Sequence, residues 1–211
     1  MIIYNYKILI CRYIELDKKE IKKMEELNTE ILELNTEEDF KKIVKLLIPI
    51  KEFVEEKHKN KMYDDWNEYE HNLRWLSESK KDFLCNNKLY VYLLKDKNKI
   101  IGINFVSIGE EIVKKFKKDN NLEIENNNKV GILSAFHILK KYRNKGIGFK
   151  WLNSEVFKDL KTKGIEIIYI KSSHNKALNL YDRLGERVGN YIGVSDNCLY
   201  QRLGYIFKIK I

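Results

Sequence analysis

The chain has 211 residues, 44% apolar and 12% aromatic, which is enough for one well-buried core and gives no reason to expect a second. Its 40 Lys and Arg against 31 Asp and Glu leave a formal charge of +9, but the lysines are spread along the chain and alternate with glutamates. That pattern reads as solvated faces, so no specific nucleic-acid partner is expected. No apolar run approaches the roughly eighteen residues of a membrane span, and the opening apolar stretch is broken by Asn5 and Lys7 without a signal-peptide layout, so the expectation is a cytoplasmic protein with no membrane partner. Cys11, Cys85 and Cys198 are far apart, and neither they nor the histidines have metal-ligand spacing, so neither a disulfide framework nor a metal site is expected.

In chain order, residues 6–14 alternate as a first strand, and Ile21, Met24 and Leu27 then share one face of a helix. Residues 31–34 can play the same part, because Thr36 and Asp39 just after them have the spacing of a capping box; the first assignment is preferred. Ile43, Val44, Leu47, Ile50, Phe53 and Val54 keep helical spacing, with a kink expected at Pro49. Met62, Trp66, Tyr69, Leu73 and Leu76 form the buried stripe of a further helix whose surroundings are acidic. Residues 89–94 and 100–108 read as a β-hairpin, 110–118 as a short helix and 126–128 as a turn.

Residues 130–139 are apolar on both faces, as a strand covered on both sides would be. A basic glycine turn follows. Phe149, Leu152, Val156, Phe157 and Leu160 then mark an amphipathic helix that stops at Gly164, and residues 165–170 form a second buried strand. Strand, helix and strand make a right-handed βαβ unit. Residues 188–194 and 205–211 read as the last two strands, with 195–204 connecting them.

The turn carries the chemistry. The first N–H groups of a helix lack partners and favour an anion. Gly146 and Gly148 leave those groups accessible, and Lys140, Lys141, Arg143, Lys145 and Lys150 add five cations with no acid among them. A pyrophosphate suits such a site. The loop is not a Walker A motif, since no Gly-Lys-Ser/Thr closes it, and Trp151 stands where a dinucleotide fingerprint has its third glycine.

Arg143-Asn144-Lys145-Gly146-Ile147-Gly148, set between a strand and a helix, resembles the Arg/Gln-x-x-Gly-x-Gly/Ala signature of the GNAT superfamily of N-acetyltransferases. The stretch from His174 through Tyr181 to Gly185 looks like the same family's Asn-x-x-Ala-x-x-Leu-Tyr-x-x-Leu-Gly-Phe helix. The resemblance is sharp over 130–185. It implies a single α/β (α+β) domain over 1–211, with a central mixed, mostly antiparallel sheet of about six or seven strands flanked by helices and a strand-turn-helix-strand core that binds acyl-CoA.

It further implies that acetyl-CoA is the cofactor. Its pyrophosphate would lie on the loop Arg143, Asn144, Lys145, Gly146, Ile147 and Gly148, and its pantetheine arm along Phe136 and Ile138, where the Ile138 N–H is the expected oxyanion donor. His174 stands in the family's asparagine slot and Asn175 one place later, so either can make that contact. Tyr181 matches the tyrosine that protonates the departing thiolate. Between the first two strands the family shapes its acceptor site, so Tyr63, Asp64, Asp65 and Glu68 are the residues expected to meet a cationic amine.

The general base is open. The central strand offers only Ser134 and His137 as polar side chains, so His137 is the candidate on the strand, and a water-mediated route through Glu123 or Glu125 is the other. Two departures stand out. Glu186 replaces the hydrophobic residue usual after Leu-Gly, and the stretch from Cys198 to Tyr205 repeats the Leu-Tyr-x-x-Leu-Gly pattern around Tyr200. Tyr181 is preferred because its helix directly follows the strand ending at Ile170. The leading expectation is an N-acetyltransferase acting on a small-molecule or protein amine, as a monomer or homodimer. Its alternatives are an acyl-CoA sensor without turnover and, further off, a basic nucleic-acid-binding protein.

Overall fold

The computed structural model describes residues 27–36, 38, 39, 42, 43, 46, 88–124, 127–194 and 201–211. They form a seven-stranded sheet of β1 (Leu27–Leu34), β2 (Lys88–Asp96), β3 (Lys99–Ile108), β4 (Val130–Ile138), β5 (Ile167–Ser172), β6 (Glu186–Val194) and β7 (Gln201–Lys210) in the order β1-β2-β3-β4-β5-β7-β6. Only β4 and β5 run parallel. This is the mixed, mostly antiparallel sheet that the sequence leads one to expect.

The helical stripe expected to end at Leu27 needs correction. The strand that pairs with β2 is Leu27–Leu34, in register from Leu27↔Asp96 to Leu34↔Leu89, so Leu27 is strand and not the end of a helical stripe. Residues 6–14 lie outside the described residues. Glu30 and Glu33 meet Lys95 and Lys88 across this edge pair, which is how a strand with acids among its apolar residues is accommodated. The capping box after it is formed: Asp39 Oδ2 accepts from the N–H groups of Asn35 and Thr36, and the Asp39 N–H donates to Thr36 Oγ1. The last strand also starts earlier than expected, at Gln201, which shortens the connection before it.

Successive residues of β4 face opposite sides. Val130 and Ile132, with Tyr169 and Ile206, pack under helix α1 (Glu110–Asn120) through Val113 and Phe116. On the other side lies a continuous helix, α2, made of an α segment Ile147–Trp151, a π turn Leu152–Val156 and an α segment Phe157–Thr162. Leu152, Val156, Phe157 and Leu160 are its buried stripe. Helix α3 (Asn175–Leu184) adds Ala177, Leu178, Tyr181 and Leu184 to the same core.

Three polar straps fix α2 and the loop before it to the first strands. The Trp151 indole donates to Thr29 Oγ1 at 3.0 Å, the Tyr92 hydroxyl to Asp159 Oδ2 at 2.7 Å and the Tyr142 hydroxyl to Asp96 Oδ2 at 2.6 Å. Among the described residues no helix is long and apolar enough to cross a membrane, and no group of metal-ligating side chains is found.

Asn104 on β3 is wholly buried between its cross-strand neighbours Tyr92 and Phe136, and among the described residues neither its Oδ1 nor its Nδ2 has a hydrogen-bond partner. A buried polar group without a partner costs about 1–3 kcal/mol. Asn104→Leu, of similar volume and without polar atoms, is therefore expected to raise the melting temperature in calorimetry. A lower value would show that the carboxamide stabilises this strand.

Candidate active site

The parallel strands pair for only four residues, from Val130↔Ile167 to Leu133↔Ile170. Beyond that point they separate, because β4 continues along β3 to Ile138 while β5 continues along β7 to Ser172. The separation begins at a bulge. Phe105 pairs with Ala135 and Val106 with Leu133, which leaves Ser134 as the extra residue that re-aims the strand. Its hydroxyl is buried and has no hydrogen-bond partner among the described residues. A slot thus opens between the two strands beside residues 134–138.

The chain leaves the slot through Leu139, whose N–H donates to the Ile101 carbonyl at 2.8 Å, and a 3₁₀ turn at Lys140–Tyr142. Asn144 and Gly146 then take left-handed backbone angles, φ 61° and 72°. Gly146 is the N-cap of α2, with no side chain capping the helix, and the first helical bond runs from the Lys150 N–H to the Gly146 carbonyl. The N–H groups of Ile147, Gly148 and Phe149 precede that first bond, so the N-terminus of α2 is suited to an anion. Gly148 is needed for packing: a Cβ there would lie 3.0 Å from Phe136 Cζ and 3.2 Å from Ile138 Cδ1. Gly146 has open space on its side-chain side, and its φ is what excludes other residues.

Arg143 folds back toward the strand. Its Nε donates to the Ile138 carbonyl at 2.5 Å and Nη2 lies 3.0 Å from Nε2 of the buried His137. A guanidinium has only donors, so that imidazole nitrogen acts as acceptor in this arrangement. On the far side of the slot His174 is the N-cap of α3, its N–H donating to Ser172 Oγ at 3.3 Å, and Asn175 is the first residue of the helix.

Tyr181 is buried against Phe207, ring centroids 5.4 Å apart. Burial, with a smaller contribution from Tyr191, pushes its phenol well above the ordinary tyrosine value, so the hydroxyl keeps its proton throughout the physiological range. Tyr92 is raised as well, first by burial and then by its bond to Asp159.

These two shifts have a consequence for stability. Above the ordinary tyrosine value of about 10, the unfolded chain loses protons that the folded chain retains, so stability is full below that pH and falls as pH rises through it. Urea titrations on the alkaline side are expected to show that decline, and Tyr181→Phe to flatten part of it. An equal slope in parent and variant would mean that Tyr181 ionises freely.

Residues 50–185 match the model of the Acetyltransferase (GNAT) family, which is more than half of the chain. The chain belongs to the GNAT family. Arabidopsis thaliana NAA60, solved in complex with acetyl-CoA, has the same fold at 14% identity, with 87% of this chain and 99% of that chain covered and a TM-score of 0.52. A GNAT-family protein from Desulfovibrio desulfuricans is similar at 12% identity, with 87% and 99% covered and a TM-score of 0.50. No curated protein sequence matches the chain.

Acetyl-CoA is the cofactor that membership of the GNAT family assigns, and the residues present fit it. The loop from 140 to 150 carries no acid, Gly146 has open space on its side-chain side, and Gly148 lets the start of α2 pack closely on Phe136 and Ile138 beside the slot. Phe136, His137 and Ile138 lie on β4, the loop from Arg143 to Gly148 leads from it into α2, and His174, Asn175 and Tyr181 belong to α3 and its N-cap. Tyr63, Asp64, Asp65, Glu68, Glu125 and Tyr200 lie outside the described residues. Glu123 is exposed and pairs with Lys117 at 3.1 Å.

Two cations at the site's edge were not singled out from the sequence. Lys171, one residue past the last β4–β5 pair, stands over the Tyr191 ring at 4.3 Å, and burial lowers its ammonium below the ordinary lysine value against the smaller opposing pull of Asp119. Arg183 of α3 lies over the Phe149 ring at 4.3 Å. As single basic residues in a lysine-rich chain they carry no pattern, and only the folding of α3 beside α2 distinguishes Arg183.

Proposed function

We propose that the protein is an N-acetyltransferase that moves an acetyl group from acetyl-CoA to a primary amine of a small molecule or a protein. The observation that carries this reading is the juxtaposition of an acid-free glycine loop, a slot between diverging parallel strands and a buried, protonated tyrosine. Acetyl-CoA supplies the acetyl group, activated as a thioester.

The chain's own residues do the rest. The N–H groups from Asn144 to Gly148 hold the pyrophosphate, with Arg143 and Lys145 adding charge. Backbone groups of Phe136 and Ile138 take the pantetheine arm, the Ile138 N–H polarises the carbonyl, and His174 or Asn175 fixes the arm from the other side. Tyr181 holds a proton at its hydroxyl for the leaving sulfur. His137 takes the proton of the amine, for which its Nε2 must first be released by Arg143, and binding of an anion at the loop gives Arg143 a competing partner. Tyr63, Asp64, Asp65 and Glu68 receive the cationic acceptor before it loses that proton. In this reading residues 1–211 work as one domain in the cytoplasm, as a monomer or homodimer without a nucleic-acid partner.

The engagement of His137 by Arg143, together with the lack of a carboxylate on β4, favours one other reading, an acyl-CoA sensor that binds without turnover. Free thiol released from acetyl-CoA in the presence of a panel of primary amines separates the two. The enzyme reading predicts release that depends on both protein and amine. Tight binding of acetyl-CoA with no thiol release from any amine would favour the sensor.

A further inference from the structure

Phe149 directly follows Gly148, so its half-buried ring lies in the first turn of α2, one residue beyond the N–H groups assigned to the pyrophosphate. Arg183, in the last turn of α3, sets its guanidinium carbon 4.3 Å above that ring. The side chain is exposed, and among the described residues no carboxylate pairs with it. Arg187, four residues on, makes the contrast: two of its nitrogens donate to Asp182, both at 2.7 Å.

A guanidinium lying on an aromatic face keeps its in-plane N–H donors available, and that planar fork matches a phosphate monoester. The flat cation and the ring also offer a stacking surface to a base. In CoA the group beyond the pyrophosphate is an adenosine bearing a 3′-phosphate.

Resting on the acetyl-CoA reading above, we infer that Arg183, held by Phe149, is the residue that recognises the 3′-phosphate of the cofactor's adenosine. Arg183 thereby gives the protein a preference for CoA over its 3′-dephospho form. Lys145 and Lys150 are exposed near the same helix end and contribute long-range attraction, whereas Arg183 makes the directed contact.

Calorimetric titration with CoA and with 3′-dephospho-CoA tests this without reference to turnover. A hydrogen bond to a charged group amounts to about a tenfold to hundredfold difference in affinity, so the parent protein is expected to prefer CoA by that factor. Arg183→Gln should remove the preference by weakening CoA alone, Arg183→Lys should keep only part of it, and Phe149→Leu should reduce it by freeing the guanidinium. Equal affinity of the parent for the two ligands would overturn the inference while leaving the acetyl-CoA site intact, as would an undiminished preference in Arg183→Gln. If the parent binds neither ligand, the acetyl-CoA reading and this inference fall together.

Discussion

Tyr181→Phe is expected to lower kcat by about a hundredfold to ten-thousandfold, the usual cost of removing a general acid, with little change in the dissociation constant for CoA. The substitution deletes one hydroxyl and keeps the ring, so the contact with Phe207 survives and the fold should be undisturbed. Burial holds the Tyr181 phenol protonated, as a proton donor requires. The same burial makes the phenol a weaker acid, so the transfer requires that the departing thiolate be destabilised at least as much in those surroundings. Tyr200→Phe is the control. The residues that follow Tyr200 are strand β7 and not a helix, so that variant should turn over like the parent. Parallel losses in both, or in neither, would remove Tyr181 from the mechanism.

Gly146→Asp is expected to abolish cofactor binding while sparing the fold. A side chain at φ 72° costs about 1 kcal/mol, but no atom lies within 4 Å of where its Cβ would stand, so nothing need move. The new carboxylate would occupy the anion-favouring end of α2, where acidic side chains themselves cap helices. It would then both displace and repel a pyrophosphate, for an expected loss in CoA affinity of about a hundredfold or more. In thermal denaturation the parent should melt higher with CoA present, since a ligand of the folded state stabilises it by mass action, and the variant should show no shift. A full shift in the folded variant would mean that the phosphates lie elsewhere.

Much of the core was legible because its residues announce themselves twice, by periodicity and by punctuation. The buried run that became β4, the glycine turn, the stripe of α2 and its stop near Gly164 all follow from local rules, as do α1 and the hairpin of β2 and β3. The opening strand was harder. Leu27–Leu34 carries acids among its apolar residues, and its strand character depends on Lys88 and Lys95 across the pair, which no local pattern contains.

Gly204 misled for a related reason. It looks like a break or the end of a helix, yet it lies inside β7, where the missing side chain makes room for the ring of Tyr191. Gly185, the glycine of the first copy, answers a different demand, the close approach of the chain to the Lys208 carbonyl. One short pattern thus arises from two unrelated contacts. The features that shape the slot most closely, the bulge at Ser134, the π turn in α2 and the return of Arg143 onto His137, are set by tertiary packing and have no sequence period.

The account's central claim is acetyl transfer to nitrogen, and its most direct measurement is the fate of label from acetyl-CoA carrying an isotopically marked acetyl group, mixed with the protein and a panel of primary amines. The expected result is an amide product bearing the label, formed in step with free CoA and absent with Gly146→Asp. Label that remains in acetyl-CoA with every amine, although the protein binds the cofactor, would contradict the claim.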